Sequence, residues 1–74
     1  MSPRESVIAV LVRHADWCLD QADPEVVRDL PAWHRAHALG VAREIATLLL
    51  DQLAPDARES ADLHDRVRAM EGRA

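Results

Sequence analysis

The width of the apolar surface on two helical stretches constrains this fold more than any other feature of the sequence. At about 100° per residue, the stretch 3–21 carries apolar side chains over more than half of the helix circumference. The stretch 31–53 carries one apolar face and a second apolar seam. A helix on a protein surface needs an apolar stripe of only about 100°. Both helices must therefore pack against more than one neighbour.

Capping residues and prolines mark where the helices begin. The segment 2–5, Ser-Pro-Arg-Glu, is a capping box with proline in the first helical position, so helix 1 should cover about 3–21. The Asp-Pro pair at 23–24 predicts a short helical turn over 24–30. Helix 2 then covers about 31–53 and ends there because a proline follows two residues later.

A third helix is predicted over about 57–71. The segment 56–59 is an Asp-led variant of the capping box, and Gly72 is placed to stop the helix. The apolar stripe of this helix is narrow and consists of Leu63, Val67 and Met70. Such a helix is expected to lie along an existing helix pair and to leave most of its surface in water.

The sequence contains no alternating strand pattern and no internal repeat, and it is rich in residues that favour helix. The predicted fold is all-α. It consists of an antiparallel hairpin of helices 1 and 2 plus a third amphipathic helix, in a single helical domain that covers 1–74.

A chain of 74 residues has a thin core, and domains of this size rarely gain more than about 3 to 5 kcal/mol from a single core. Cys18 is the sole cysteine, so an internal disulfide is impossible, and oligomerisation or a metal site remains as added support. Two hairpins that pair as a homodimer would form a four-helix core, which predicts a dimeric helical bundle. A monomeric three-helix bundle is the alternative.

Gly40 lies in the middle of helix 2, where glycine costs roughly 1 kcal/mol relative to alanine. This position indicates a close backbone approach or a kink in the helix. The alternative is a neutral replacement at an exposed site.

One cluster of side chains has the chemistry of a metal site. His14 and Cys18 are four residues apart, and His34 and His37 are three apart, so each pair projects from one face of its helix. An antiparallel hairpin brings the two pairs to similar heights, where one thiolate and three imidazoles would suit Zn²⁺. The alternative is that these histidines lie at the margin of the core and that Cys18 is a small buried apolar residue.

Two tryptophans flank that cluster, Trp17 on helix 1 and Trp33 on helix 2. Tryptophan is enriched at energetically important contacts, so both are predicted interface residues. Leu39 and Leu50, from the second apolar seam of helix 2, are predicted to belong to the same interface.

The charge distribution argues against a nucleic-acid partner. The formal net charge is -4, and the nine arginines are scattered without forming a stripe. No apolar stretch is long enough for a membrane span, and the run 7–12 is too short for a signal peptide, which predicts a cytoplasmic protein. Every basic residue other than histidine is arginine, which indicates a GC-rich bacterial genome.

The sequence shows no catalytic constellation. Gly40 and Gly72 are the only glycines, so a phosphate-binding loop is excluded. Cys18 and His14 share an apolar helix face, which favours burial over reactivity. We therefore expect a small homo-oligomeric helical module for protein interaction or regulation, without catalysis, whose further partner would be a helical protein. A zinc-binding module, structural or sensing, is the alternative function.

Overall fold

The protein is described by a computed structural model that covers residues 2–73. Three α-helices follow each other along the chain: α1 over Pro3–Ala22, α2 over Ala32–Leu48 and α3 over Arg58–Arg73. A π-helical turn, Leu49–Leu53, continues α2. No strand occurs in the part of the chain that the structure describes. The predicted all-α class is confirmed.

The start of α1 has the chemistry that its capping box predicts. The Ser2 hydroxyl accepts a hydrogen bond from the Glu5 amide at 3.2 Å, and the Glu5 carboxylate lies 3.2 Å from the same hydroxyl. The side chain therefore satisfies an amide that has no partner within the helix. Pro3 occupies the first turn, where the amide that it lacks would have no partner.

The connection between α1 and α2 contains a shorter turn than the sequence predicts. The Asp23 carbonyl accepts from the amides of Val26 and Val27, each at 3.1 Å, and the Asp23 carboxylate accepts from the Glu25 amide at 2.9 Å. These bonds form a single turn at 24–26, and the chain then runs irregularly to Pro31, which precedes α2.

Small side chains form much of the contact between the helices. The buried alanines within the helices are Ala15, Ala22, Ala38, Ala42 and Ala46. Because the distance between packed helices depends on the side chains at their contact, alanine at these positions allows close packing. The largest apolar side chains that are almost fully buried are Leu49, Leu63 and Val67, two of which come from α3.

The last turn of the second helix widens in a way that the sequence does not predict. The Ala54 amide donates to the Leu49 carbonyl at 2.8 Å, a bond that spans five residues. The wider turn keeps Leu49 fully buried and places Leu53 against the core before the chain leaves the helix at Ala54. The Arg4 guanidinium donates to the Leu53 carbonyl and ties this end to the start of α1.

Two exposed ion pairs accompany the packing of α3 on the other helices. Arg66 of α3 pairs with Asp16 of α1, and Glu71 of α3 pairs with Arg43 of α2 at 3.2 Å. Exposed pairs of this kind contribute roughly 0 to 1 kcal/mol each. They show which edge of α1 and which edge of α2 lie beside α3.

The predicted stop of α3 at Gly72 is wrong. The helix continues through Gly72 to Arg73, and no glycine has the positive φ that a left-handed cap requires. Glycine allows a left-handed cap but does not force one, so the helix continues for as long as its backbone remains hydrogen-bonded.

Gly40 makes no close backbone approach. A Cβ placed on Gly40 would meet no atom within 4 Å, so the glycine is not required by packing within the chain. We expect Gly40→Ala to raise the free energy of unfolding by about 0.5 to 1 kcal/mol, because alanine restricts the unfolded chain and favours helix. Urea unfolding measures this change. Gly72→Ala, with equal space but in the final turn, is the control and should gain less; a loss of stability in Gly40→Ala would contradict this account.

Ser60 is the buried polar residue whose hydroxyl has no hydrogen-bond partner among residues 2–73. A buried group that lacks its partner costs about 1 to 3 kcal/mol. We therefore expect Ser60→Ala to raise the free energy of unfolding by about 1 kcal/mol. The exposed helical residue Ser6 provides the control, because Ser6→Ala gains only a few tenths of a kcal/mol from helix propensity. Equal gains at both sites would show that the Ser60 hydroxyl is satisfied.

Candidate functional site

Six large apolar side chains are exposed in the described chain, and five of them lie on α1 and α2. Those five are between 37% and 71% exposed: Val7, Val10, Trp17, Trp33 and Leu48. The sixth, Val26, lies in the connection between the helices. Single exposed apolar residues are ordinary, but a contiguous set marks an interaction surface.

On α1 the exposed residues share the edge that faces away from α3. Asp16 pairs with Arg66 and marks the edge beside α3. At about 100° per residue, the apolar arc begins beside Asp16 on the helix circumference. It includes the buried Ala15 and continues past the buried Cys18. It ends at Val7, Val10, His14 and Trp17. The α1 arc is therefore covered at one edge and exposed at the other.

On α2 the same arrangement is repeated. Arg43 pairs with Glu71 and marks the edge beside α3. From Arg43 the helical positions pass through the buried Ala42 and Ile45 to the opposite edge. That edge carries Leu48 and His37, and Glu44 and Trp33 come next around the exposed side of the helix.

These two edges border the same side of the helix pair, because α3 lies against the other side. We call this surface the open face and define it by seven residues: Val7, Val10, His14, Trp17, Trp33, His37 and Leu48. Sequence analysis predicted that α1 and α2 need more than one neighbour each. Within the described chain α3 is one such neighbour, and the open face is the surface left over.

The four predicted interface residues separate into two groups. Trp17 and Trp33 are exposed on the open face. Leu39 of α2 and Leu50 of the π-helical turn are half-buried, and Leu39 packs against the core. Both leucines are therefore partly covered within the chain.

His14 and Cys18 are the only two of the predicted metal ligands that the structure shows in contact among residues 2–73. The Cys18 Sγ lies 3.7 Å from the His14 Nε2. The thiol is buried, and this burial raises the pKa of Cys18 above its usual value because the charged form is desolvated. The His14 ring stacks on Trp17 with centroids 5.9 Å apart.

The other two predicted ligands lie on α2. His34 is half-buried with its ring against the edge of Trp33, at a centroid distance of 5.6 Å, and His37 is exposed. Within residues 2–73, no three His, Cys, Asp or Glu side chains lie close enough together to hold a metal ion. His14 and Cys18 approach each other on α1, but neither His34 nor His37 of α2 joins them in a group of three.

His14 and Trp17 are predicted site residues, but the exposed ridge of α1 to which they belong is not predicted, although its signal is present in the sequence. Val7, Val10, His14 and Trp17 are spaced by three, four and three residues, which is the spacing of a coiled-coil seam. The width of the apolar arc does not separate these residues from the core residues beside them, whereas the seam spacing does.

Comparison of the chain with protein-family models, with curated proteins and with solved structures finds no match. None of the helices in the described residues is long and apolar enough to cross a membrane.

Proposed function

We propose that this chain is a small homo-oligomeric helical interaction module, in which two copies pack their open faces together. In this assembly α1 and α2 of each copy form an antiparallel hairpin, and the two hairpins make a four-helix core with α3 on the outside. The observation that carries the proposal is the open face, a set of large exposed apolar side chains opposite α3.

Contacts at both ends of the helix pair support the hairpin. The Arg4 side chain at the start of α1 donates to the Leu53 carbonyl at the end of the π-helical turn. The Arg35 side chain near the start of α2 donates to the Gln21 carbonyl near the end of α1 at 3.2 Å. Each end of α1 thus contacts the opposite end of the second helix, as antiparallel helices require.

The energetics favour a second copy as the occupant of the open face. Complete burial of a large apolar side chain is worth about 1.5 to 3 kcal/mol. Each copy offers five such partly exposed side chains on the face. Closed two-fold dimers are the commonest assemblies, and a two-fold interface uses one patch twice. The chain thereby gains support that its own thin core does not supply.

The two tryptophans provide the test, because they are the only ones in the chain and both lie on the open face. We expect the emission maximum at high protein concentration to be blue-shifted and to move to the red as the protein is diluted through the dimer dissociation constant. Far-ultraviolet circular dichroism on the same samples checks that the helices persist. Emission that stays at the fully hydrated position at every concentration would contradict the proposal.

The zinc-binding module is a second candidate, and the approach of His14 to Cys18 is the observation in its favour. A structural zinc site needs four ligands, and the metal binds the thiolate rather than the thiol. The raised pKa of Cys18 disfavours the thiolate. Zinc titration followed by the melting temperature tests this candidate, and a stoichiometric rise that is absent from Cys18→Ala would establish it.

A further inference from the structure

A groove separate from the open face lies between the start of α2 and the end of α3, beside the connection that follows α1. Its volume is about 510 Å³, within the range of about 300 to 1,000 Å³ that is typical of small-molecule sites. Much of the lining is apolar and comes from Ala32, Ala36 and Leu39 of α2 and Met70 of α3.

The side chains of the protein do not fill this groove. Gly40 borders the groove, and a Cβ at this position would meet no atom within 4 Å. Ala36, one helical turn earlier, is exposed. An apolar ligand could therefore contact the backbone of α2 without displacing any side chain.

The charge of the groove differs in sign from that of the whole protein. Arg35, Arg43 and Arg73 line it together with a single acid, Glu71, although the chain has a net charge of -4. Arg35 donates to backbone carbonyls and forms no ion pair with a carboxylate of residues 2–73. Arg43 pairs with Glu71, and Arg73 pairs with Glu25 at 3.9 Å. Both contacts are exposed and of small net strength, so a ligand anion can compete for these arginines.

We propose that this groove binds a small amphiphilic carboxylate, with the acyl chain on the apolar lining and the carboxylate on the arginines. Guanidinium groups bind carboxylates through paired hydrogen bonds. A docked helix fits less well, because the lining on α2 runs only from Ala32 to Arg43, about 16 Å along the helix. A stable protein interface buries roughly 800 Å² per partner, which is more than a groove of this length offers.

Decanoate, added below its micelle concentration, is the probe for this site in the full chain. We expect saturable binding by calorimetry, with amide chemical-shift changes that centre on Ala36 and Gly40. Decanol, which has the same chain length without the charge, should bind at least about tenfold more weakly. Arg43→Gln should weaken decanoate binding by a similar factor, whereas Arg68→Gln, an exposed arginine of α3 outside the groove, should not.

Gly40→Leu tests the volume of the groove independently of its charge. Leucine favours helix over glycine, so this variant should fold with an unchanged or higher melting temperature. The added side chain should occupy the groove and abolish decanoate binding. Unchanged binding by Gly40→Leu, equal binding of decanol and decanoate, or shifts that centre on the open face would each overturn the proposal.

Discussion

Val10→Glu should raise the dissociation constant of the dimer by about a hundredfold or more. The substitution removes from each copy a valine that is 54% exposed in one chain, so the loss is about half of the value for complete burial, roughly 0.8 kcal/mol per copy, and 1.4 kcal/mol corresponds to a factor of ten. It also places a carboxylate from each copy in an apolar surface, which adds a desolvation cost. Sedimentation velocity across a concentration series measures the change.

The control for this variant is the same substitution at Val26. The two valines are almost equally exposed in one chain, Val10 at 54% and Val26 at 56%, but Val26 lies in the connection between α1 and α2 rather than on an exposed helix edge. Val26→Glu should therefore leave the dissociation constant unchanged. Glutamate favours helix at least as well as valine, so Val10→Glu should keep its helical circular dichroism. Equal weakening by both variants would show that added charge, rather than the open face, governs assembly.

Leu49→Ala is expected to lower the free energy of unfolding by about 3 to 5 kcal/mol, the usual cost of a leucine truncated in a core. Leu49 is 0% exposed and lies where the π-helical turn begins. Because a domain of this size gains only about 3 to 5 kcal/mol from its core, the variant should be largely unfolded at room temperature. Urea unfolding by circular dichroism measures this loss.

The neighbouring Leu48→Ala gives the matched control, because Leu48 is 37% exposed on the open face. We expect it to cost the fold less than about 1 kcal/mol. Both variants should be made in the Val10→Glu background, so that dimer dissociation does not add to the unfolding free energy. Equal destabilisation by the two variants would contradict the placement of Leu49 in the core and of Leu48 on the surface.

The beginning of α1 could be predicted because it depends on local chemistry. The Ser2 hydroxyl and the Glu5 amide are only three residues apart, so their bond needs no information from the rest of the chain. The all-helical class follows from composition and periodicity in the same way. The second helical stretch ends at Leu53, as the proline at position 55 predicts. The widening of its last turn could not be predicted, because that turn places Leu49 and Leu53 against a core that other segments complete.

The candidate site was predictable only in part. Helical spacing correctly places His14 and Cys18 on neighbouring turns, but it does not give the rotation of one helix relative to another. The side of the helix pair that α3 covers depends on long-range contacts such as Asp16 with Arg66. These contacts decide which half of each apolar arc is left exposed. The sequence pattern alone does not distinguish the two halves.

The molar mass of the wild-type protein in solution tests the central claim most directly. A single chain has a mass of 8.3 kDa, and sedimentation equilibrium over a wide concentration range distinguishes one copy from two. A second copy on the open face predicts a mass of twice that value at high concentration, falling to the mass of one chain on dilution. A constant mass of one chain up to millimolar concentration would contradict it.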